Sequence, residues 1–350
     1  MEALFLFADL PQELNTSVYR IQIPAKYLKK AGHNLSVKHI SELDLSEVPE
    51  VVLLERIVTP EMVELLRLAG VKHLIVTFDD HYGLIPKDSP DSYHYWKGKK
   101  LSGPKGIDEF KQALGMVDQV IVPSQLLVRD FFSSAKGKIA YVPNYYDPEV
   151  WEMAQSDSAA TLAIASKNKA TLAPNSLVIG WGGSRQHGAS WRGCKLADGL
   201  FHLKKLYGDR VQISVYARAA DESLERAKVS FLSYPWVKFE EWPKHIATFD
   251  IGLLPLSGEY DRRRSNLKAI EYGLAGIPWV GNLEYSEPYS GCQGGLFTSD
   301  NPKAWLAALS KLIEDETLRK SLGCTGKTWA KTYDMSTNLD LYQKVLWPNA

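Results

Sequence analysis

"IATFDIGLLPLSGEYDRRRSNLKAIEYGLAGIPWVGN" runs from Ile246 to Asn282 and decides how the second half of the chain folds. The apolar run IATFDIGLLPL reads as a buried strand. A polar, arginine-rich loop follows. A helix then begins near Ser265–Asn266, and IPWVGN reads as the next strand. Strand, loop, helix and strand in that order form the unit of a parallel sheet. The helix also raises a question. Leu267, Ile270 and Leu274 recur three and four apart and make an apolar stripe, and Glu271 lies on that stripe. A carboxylate there is costly to bury unless something bonds to it.

The same alternation runs outward in both directions. In the first half, EALFLFA, NLSVKHI, VPEVVLLER, KHLIVTFDD, QVIVPS and KIAYVPN read as strands. YRIQIPAKYLKKAG, PEMVELLRLAG, IDEFKQALGMVD and QLLVRDFF read as the helices between them. After an Ala-, Ser- and Lys-rich crossing the pattern restarts at SLVIGWGGS and continues through RVQISVYA, WVKFEEW and the opening stretch. This predicts an α/β protein: residues 1–155 form an N-terminal Rossmann-like domain and 156–175 a linker. Residues 176–330 form a C-terminal Rossmann-like domain, and a helix at about 331–350 packs back on the first. Ligands of such sheets bind at the carboxyl ends of the strands, here in a cleft between the two domains.

Composition bounds the partners. The 350 residues carry 41 Lys plus Arg and 41 Asp plus Glu, so nothing global attracts nucleic acid or anionic lipid. Three cysteines, far apart, suggest a reducing compartment without a disulfide framework or zinc site. No secretory signal and no transmembrane segment is read, which points to the cytoplasm.

The strand ends carry the chemistry. After SLVIG come Gly182 and Gly183, which allow close backbone approach. Ser184 follows, and Arg185 and Arg192 supply forked donors suited to phosphate. The alternative is a glycine turn with surface arginines. The helix after the arginine loop is the stronger signal. Its N-terminus exposes N–H groups and a positive dipole end, with Lys268 in the first turn. Those groups suit the diphosphate of a nucleotide, and Glu271 one turn deeper suits its ribose hydroxyls. The alternative for Glu271 is structural pairing with an arginine or a buried amide. In the first half, Asp79, Asp80 and His81 end a strand. A clamp on a sugar or acceptor hydroxyl is favoured over a capped turn, and no distant ligand cluster supports a metal site.

These residues together carry a resemblance. The chain resembles GT-B fold glycosyltransferases of the large retaining family 4 group, the glycosyl transferases group 1. It does so at Gly182, Gly183, Ser184 and His187, and at an S-N-L-K-x-x-E-Y-x-x-x-G-x-P helix from Ser265 to Pro278. FDDHYGLIP, VDQVIVPS and VPNYYDPEVW extend it through the first half. The resemblance implies a retaining, metal-independent transfer of a hexose or pentose from a nucleotide-diphosphate sugar. That sugar is a co-substrate, and no further cofactor is implied. Gly183, Ser184, Arg185, His187, Arg192, Ser265, Asn266, Leu267, Lys268 and Glu271 would hold the donor; Asp79, Asp80, His81 and Lys268 would serve catalysis. Many members carry a second glutamate eight residues before Glu271, where this chain has Arg263, and the glycine-rich loop many have after the first strand is missing.

The expected acceptor is a surface glycan or a lipid-linked saccharide, the latter implying peripheral membrane contact. Residues 1–150 hold 17 Lys/Arg against 20 Asp/Glu, so the acceptor half is not basic overall. Tyr95, Trp96, Lys97, Lys99 and Lys100 form a locally basic, aromatic segment expected to contact the acceptor. That segment keeps open a viral-type enzyme that modifies hydroxymethylated DNA bases. The same residues are also compatible with a GT-B-like nucleotide-sugar epimerase and with a non-catalytic sugar-nucleotide binder.

Overall fold

The first-half apolar runs become β1 (Ala3–Phe7), β2 (Leu35–His39), β3 (Val51–Glu55), β4 (His73–Thr77), β5 (Gln119–Val122) and β6 (Ile139–Tyr141). The computed structural model describes residues 2–9, 16–87, 89, 106–157, 164 and 176–348. The six strands form one sheet in the order β2-β1-β3-β4-β5-β6, every pairing parallel. β1 and β3 are buried along their whole length, which is why they read as unbroken apolar runs. The chain leaves β1 to one side for β2 and returns to the other side for β3. The topological switch point therefore lies between β1 and β3.

The second half repeats the plan with β7 (Leu177–Gly182), β8 (Val211–Tyr216), β9 (Leu232–Tyr234), β10 (Ile251–Leu254), β11 (Trp279–Asn282) and β12 (Gly295–Thr298). Their order is β12-β11-β10-β7-β8-β9, again all parallel, with the switch point between β7 and β10. WVKFEEW holds no strand. The strand forms upstream at Leu232–Tyr234, and Trp242 opens a short helix with Pro243 in its first turn. The expected first helix is also split: a π-helical turn at Val18–Gln22 precedes the α-helix Ile23–Lys30.

The helix in question, Leu267–Leu274, packs closely on Glu316–Ala330. The contact is backbone to backbone: a Cβ on Gly273 would sit 2.6 Å from the Gly326 carbonyl oxygen. Only glycine admits that approach.

Two compact units result. The first comprises Met1–Asp147, Arg263–Ser265 and Tyr333–Ala350; the second comprises Pro148–Arg262 and Asn266–Thr332. The Pro148–Ser156 helix, expected with the first half, belongs to the second unit. It packs on Trp242–Ile246, and Asp157 just beyond it pairs with Lys244 at 3.1 Å. The helix Leu339–Leu346 packs on Ile23–Lys30 in the first unit, where Trp347 stacks on His33. No described helix is long and apolar enough to cross a membrane.

Candidate functional site

In the second unit the polar groups gather at the switch point. β7 ends in Gly182, and the Lys268 ammonium donates to the Gly182 carbonyl. The same ammonium lies 5.3 Å from the Trp181 ring centroid, a cation–π contact that further fixes the lysine. His187 meets Trp181 edge-on at 5.6 Å. A Cβ on Gly183 would come within 2.7 Å of the Trp181 ring and 3.0 Å of the His187 ring, so both rings crowd this turn. Arg185 and His187 bound a 3₁₀ turn that closes on the Ser184 carbonyl. Glu271 is 8% exposed, so the carboxylate on the apolar stripe is carried inside. Its neighbour Tyr272 donates to the Gly180 and Leu253 carbonyls, locking the helix onto β7 and β10.

Other expected donor residues lie elsewhere. Arg192 turns toward Glu222, its Nη1 3.6 Å from the carboxylate. Asn266 precedes the helix without capping it through its side chain, and instead lies in hydrogen-bond reach of the Cys292 thiol. Leu267 is the helix's first residue. Ser265 belongs to the first unit, where its hydroxyl accepts from Asn144 Nδ2 at 3.1 Å.

In the first unit, Asp79, Asp80 and His81 follow β4, and the structure surrounds them with charges that local sequence patterns do not reveal. Glu55, the last residue of β3, is fully buried. It accepts from the Ala8 amide at 2.9 Å and from the Ser17 hydroxyl, and its other oxygen lies 3.5 Å from Arg56. Arg56 also pairs with Asp9 at 2.5 Å. Asp79 accepts from the Thr16 hydroxyl at 2.7 Å. This network spans the carboxyl ends of β1, β3 and β4, at the first sheet's switch point. Arg264 approaches Asp80 at 3.6 Å. Arg263, standing where the resemblance leads one to expect a glutamate, pairs with Asp130, and His81 lies 4.0 Å from the same carboxylate.

Burial sets the protonation here. It pushes the Asp79 carboxyl up to about 7, with the Asp80 charge adding to the rise and Thr16 and Arg56 opposing it. Burial likewise raises Glu55 against the pull of Arg56. His81 is lowered, chiefly by burial. Burial would raise Asp130, but the Arg263 and Arg129 guanidiniums outweigh it and hold the carboxyl below its ordinary range. Among the described residues no group of three or more His, Cys, Asp or Glu is placed to hold a metal ion. The expected acceptor residues Tyr95, Trp96, Lys97, Lys99 and Lys100 lie outside the described residues.

Two Rossmann-like units, each an open parallel sheet with helices between its strands, make up the GT-B fold. Among solved structures, the chain is similar to WaaG, described as a glycosyltransferase involved in lipopolysaccharide biosynthesis. The TM-score is 0.67 at 13% identity, covering 99% of both chains. It is also similar to HepE of Anabaena, solved with UDP and glucose, at a TM-score of 0.62 and 13% identity over 99% of both chains. A UDP-forming α,α-trehalose-phosphate synthase from Burkholderia xenovorans aligns at 0.61 and 14% identity, over 85% of this chain and 74% of that one. At such identities the likeness is one of fold. No protein-family model matches the chain, and no curated protein matches it.

Proposed function

We propose that the chain is a glycosyltransferase that moves a sugar from a nucleoside-diphosphate sugar to an acceptor hydroxyl. The second unit holds the donor and the first serves the acceptor. The observation that carries this reading is the Leu267–Leu274 helix. Its Lys268 reaches the end of β7 at the switch point, and its Glu271 is buried one turn further on. A lysine beside a helix N-terminus neutralises a diphosphate, and a buried carboxylate accepts from ribose hydroxyls.

In the proposed step the bond between the anomeric carbon and the diphosphate oxygen breaks. The acceptor oxygen bonds to that carbon, and its proton passes to the departing phosphate. Negative charge grows on the diphosphate, where Lys268 and the helix end stabilise it without a metal. Retention of configuration follows from the resemblance. Asp79, Asp80 and His81 clamp hydroxyl groups on the acceptor side. A glycan or lipid-linked acceptor suits the balanced charge of the first half, with the reaction in the cytoplasm, at the membrane surface when the acceptor is lipid-linked.

The test is a donor screen read by product analysis. UDP sugars come first, because HepE was solved with UDP and glucose. GDP, ADP, CDP and dTDP sugars complete the panel. Release of nucleoside diphosphate with a glycosylated acceptor supports the reading. An isomerised sugar nucleotide formed from donor alone replaces it with the epimerase. Transfer to hydroxymethylated DNA that falls steeply between about 50 and 200 mM salt replaces the acceptor class.

A further inference from the structure

Strand β8 ends at Tyr216, and the next two residues, Ala217 and Arg218, both take left-handed backbone conformations, with φ of 66° and 63°. There the Cβ crowds the following carbonyl, so Gly, Asn and Asp are the usual occupants of such a pair. Alanine and arginine hold it only at a cost. Among the described residues no other two non-glycine neighbours share this conformation. The turn is tied down at its start, where the Ala217 amide donates to the Tyr234 carbonyl at 3.0 Å. β7 and β8 pair with Gly182 opposite Tyr216. The two strands there are one strand spacing apart, about 4.8 Å, so Arg218 follows β8 where Gly183 and Ser184 follow β7. Arg218 is exposed. The carboxylates that come next in sequence are engaged elsewhere. Asp221 accepts from the Ser233 hydroxyl at 2.8 Å, and Glu222 meets Arg192 at 3.6 Å and Arg226 at 2.6 Å. No described residue gives the Arg218 guanidinium an ion pair or a hydrogen bond.

We infer that Arg218 binds the phosphates of the co-substrate, and that the left-handed turn persists because it sets this guanidinium beside the end of β7. Glycine would occupy the turn without strain, so the arginine is kept against a local preference. A charged side chain kept at such a cost, with no partner around it, finds its partner in a ligand. An arginine offers forked donors that match phosphate oxygens, and its side chain spans more than one strand spacing. Arg192, expected in that role, is turned to Glu222 instead. Arg218, the Gly182 carbonyl and Lys268 all belong to the second unit, so the contact needs nothing from the first. The inference rests on the donor-site reading above, and the experiment separates the two.

Arg218→Gly relieves the turn and removes the charge together. Its melting temperature should hold or rise by up to about 3 °C. The binding probe is whichever of UDP, GDP, ADP, CDP and dTDP the wild-type protein binds most tightly by titration calorimetry. Arg218→Gly should weaken that binding about tenfold or more, the worth of one hydrogen bond to a charged group. The matching nucleoside, which has no phosphates, should bind as before. Arg218→Asn suits the left-handed region but carries no charge, so it should lose as much; Arg218→Lys should regain part of the loss. Ala217→Gly loosens the same turn and leaves the guanidinium, so it should bind like wild type. Wild-type affinity in Arg218→Gly and Arg218→Asn overturns the inference. A melting temperature that falls in Arg218→Gly makes the side chain structural and overturns it too. So does an Ala217→Gly loss equal to that of Arg218→Gly, because stiffness of the turn is then the cause. A matching loss of nucleoside affinity moves the contact off the phosphates and counts against it equally. If the wild-type protein binds none of the five diphosphates, the glycosyltransferase reading has failed and the inference falls with it.

Discussion

Replacing Thr16 by Val exchanges the hydroxyl for a methyl group and leaves the shape of the side chain, so it isolates the 2.7 Å hydrogen bond to Asp79. That bond favours the ionised carboxylate, as Arg56 does, while burial and Asp80 oppose ionisation and bring the group to about 7. A hydrogen bond to a charged group is worth about 1.5–3 kcal/mol, and one pKa unit corresponds to about 1.4 kcal/mol. Thr16→Val should therefore raise the Asp79 midpoint by about one to two units. Asp80→Asn should move it the other way, since a like charge is removed. The assay is carboxyl ¹³C NMR of Asp79 against pH, which reads the group directly and does not depend on turnover. Stability gives a second readout with a defined sign. A folded-state value raised from 3.8 to about 7 supports the fold at low pH, and that support is lost as pH rises through this interval. Asp79→Asn should therefore gain in melting temperature over wild type between these two pH values and hold a constant advantage above them. A wild-type Asp79 that titrates near the ordinary carboxylate value, or a Thr16→Val protein with an unmoved midpoint, refutes the reasoning.

Lys268→Ala should slow transfer and weaken donor binding by roughly 10- to 100-fold, because it removes the cation proposed to neutralise the diphosphate. Glu271→Ala should chiefly raise the donor KM while the fold survives; unchanged donor KM in both variants places the donor elsewhere. Activity should persist in excess EDTA, and a complete loss restored by manganese would instead make Asp79 and Asp80 metal ligands. Gly273→Ala should lower stability by about 1–3 kcal/mol, because its methyl would meet the Gly326 carbonyl at 2.6 Å; an unchanged thermal midpoint would mean the two helices can separate without cost.

Periodicity makes the sheets legible because parallel strands buried on both faces leave a run of apolar residues that little else in a short window imitates. The helix carrying Lys268 and Glu271 is legible for a related reason: a charged residue on an apolar stripe stands out locally. The π-helical turn at Val18–Gln22 is not, because it keeps the apolar spacing of an α-helix while shifting its hydrogen bonds by one residue. Strand β9 escapes the pattern because Leu232–Tyr234 is short and only half-buried, so WVKFEEW outweighs it in hydrophobic content.

The surroundings of Asp79 are hidden for a deeper reason. Glu55 reads in sequence as the polar residue that ends VVLLE, and Asp9 as the first turn residue after a strand. Neither pattern is unusual alone. What joins them is strand order: β1 lies between β2 and β3, so residues 47 apart in sequence, Ala8 and Glu55, share a hydrogen bond. No local window contains that information. The same topology acts in the second unit, where the neighbouring β7 and β10 let Lys268 reach Gly182 from 86 residues away. In each sheet the chain diverges at the switch point, leaving room there that no crossover connection covers. Polar side chains from distant segments meet in that room and find one another as partners. Arg263 and Arg264 extend the rule: read along the chain they are loop arginines, yet the fold sets them against Asp130 and Asp80, on the side of the first unit where carboxylates collect.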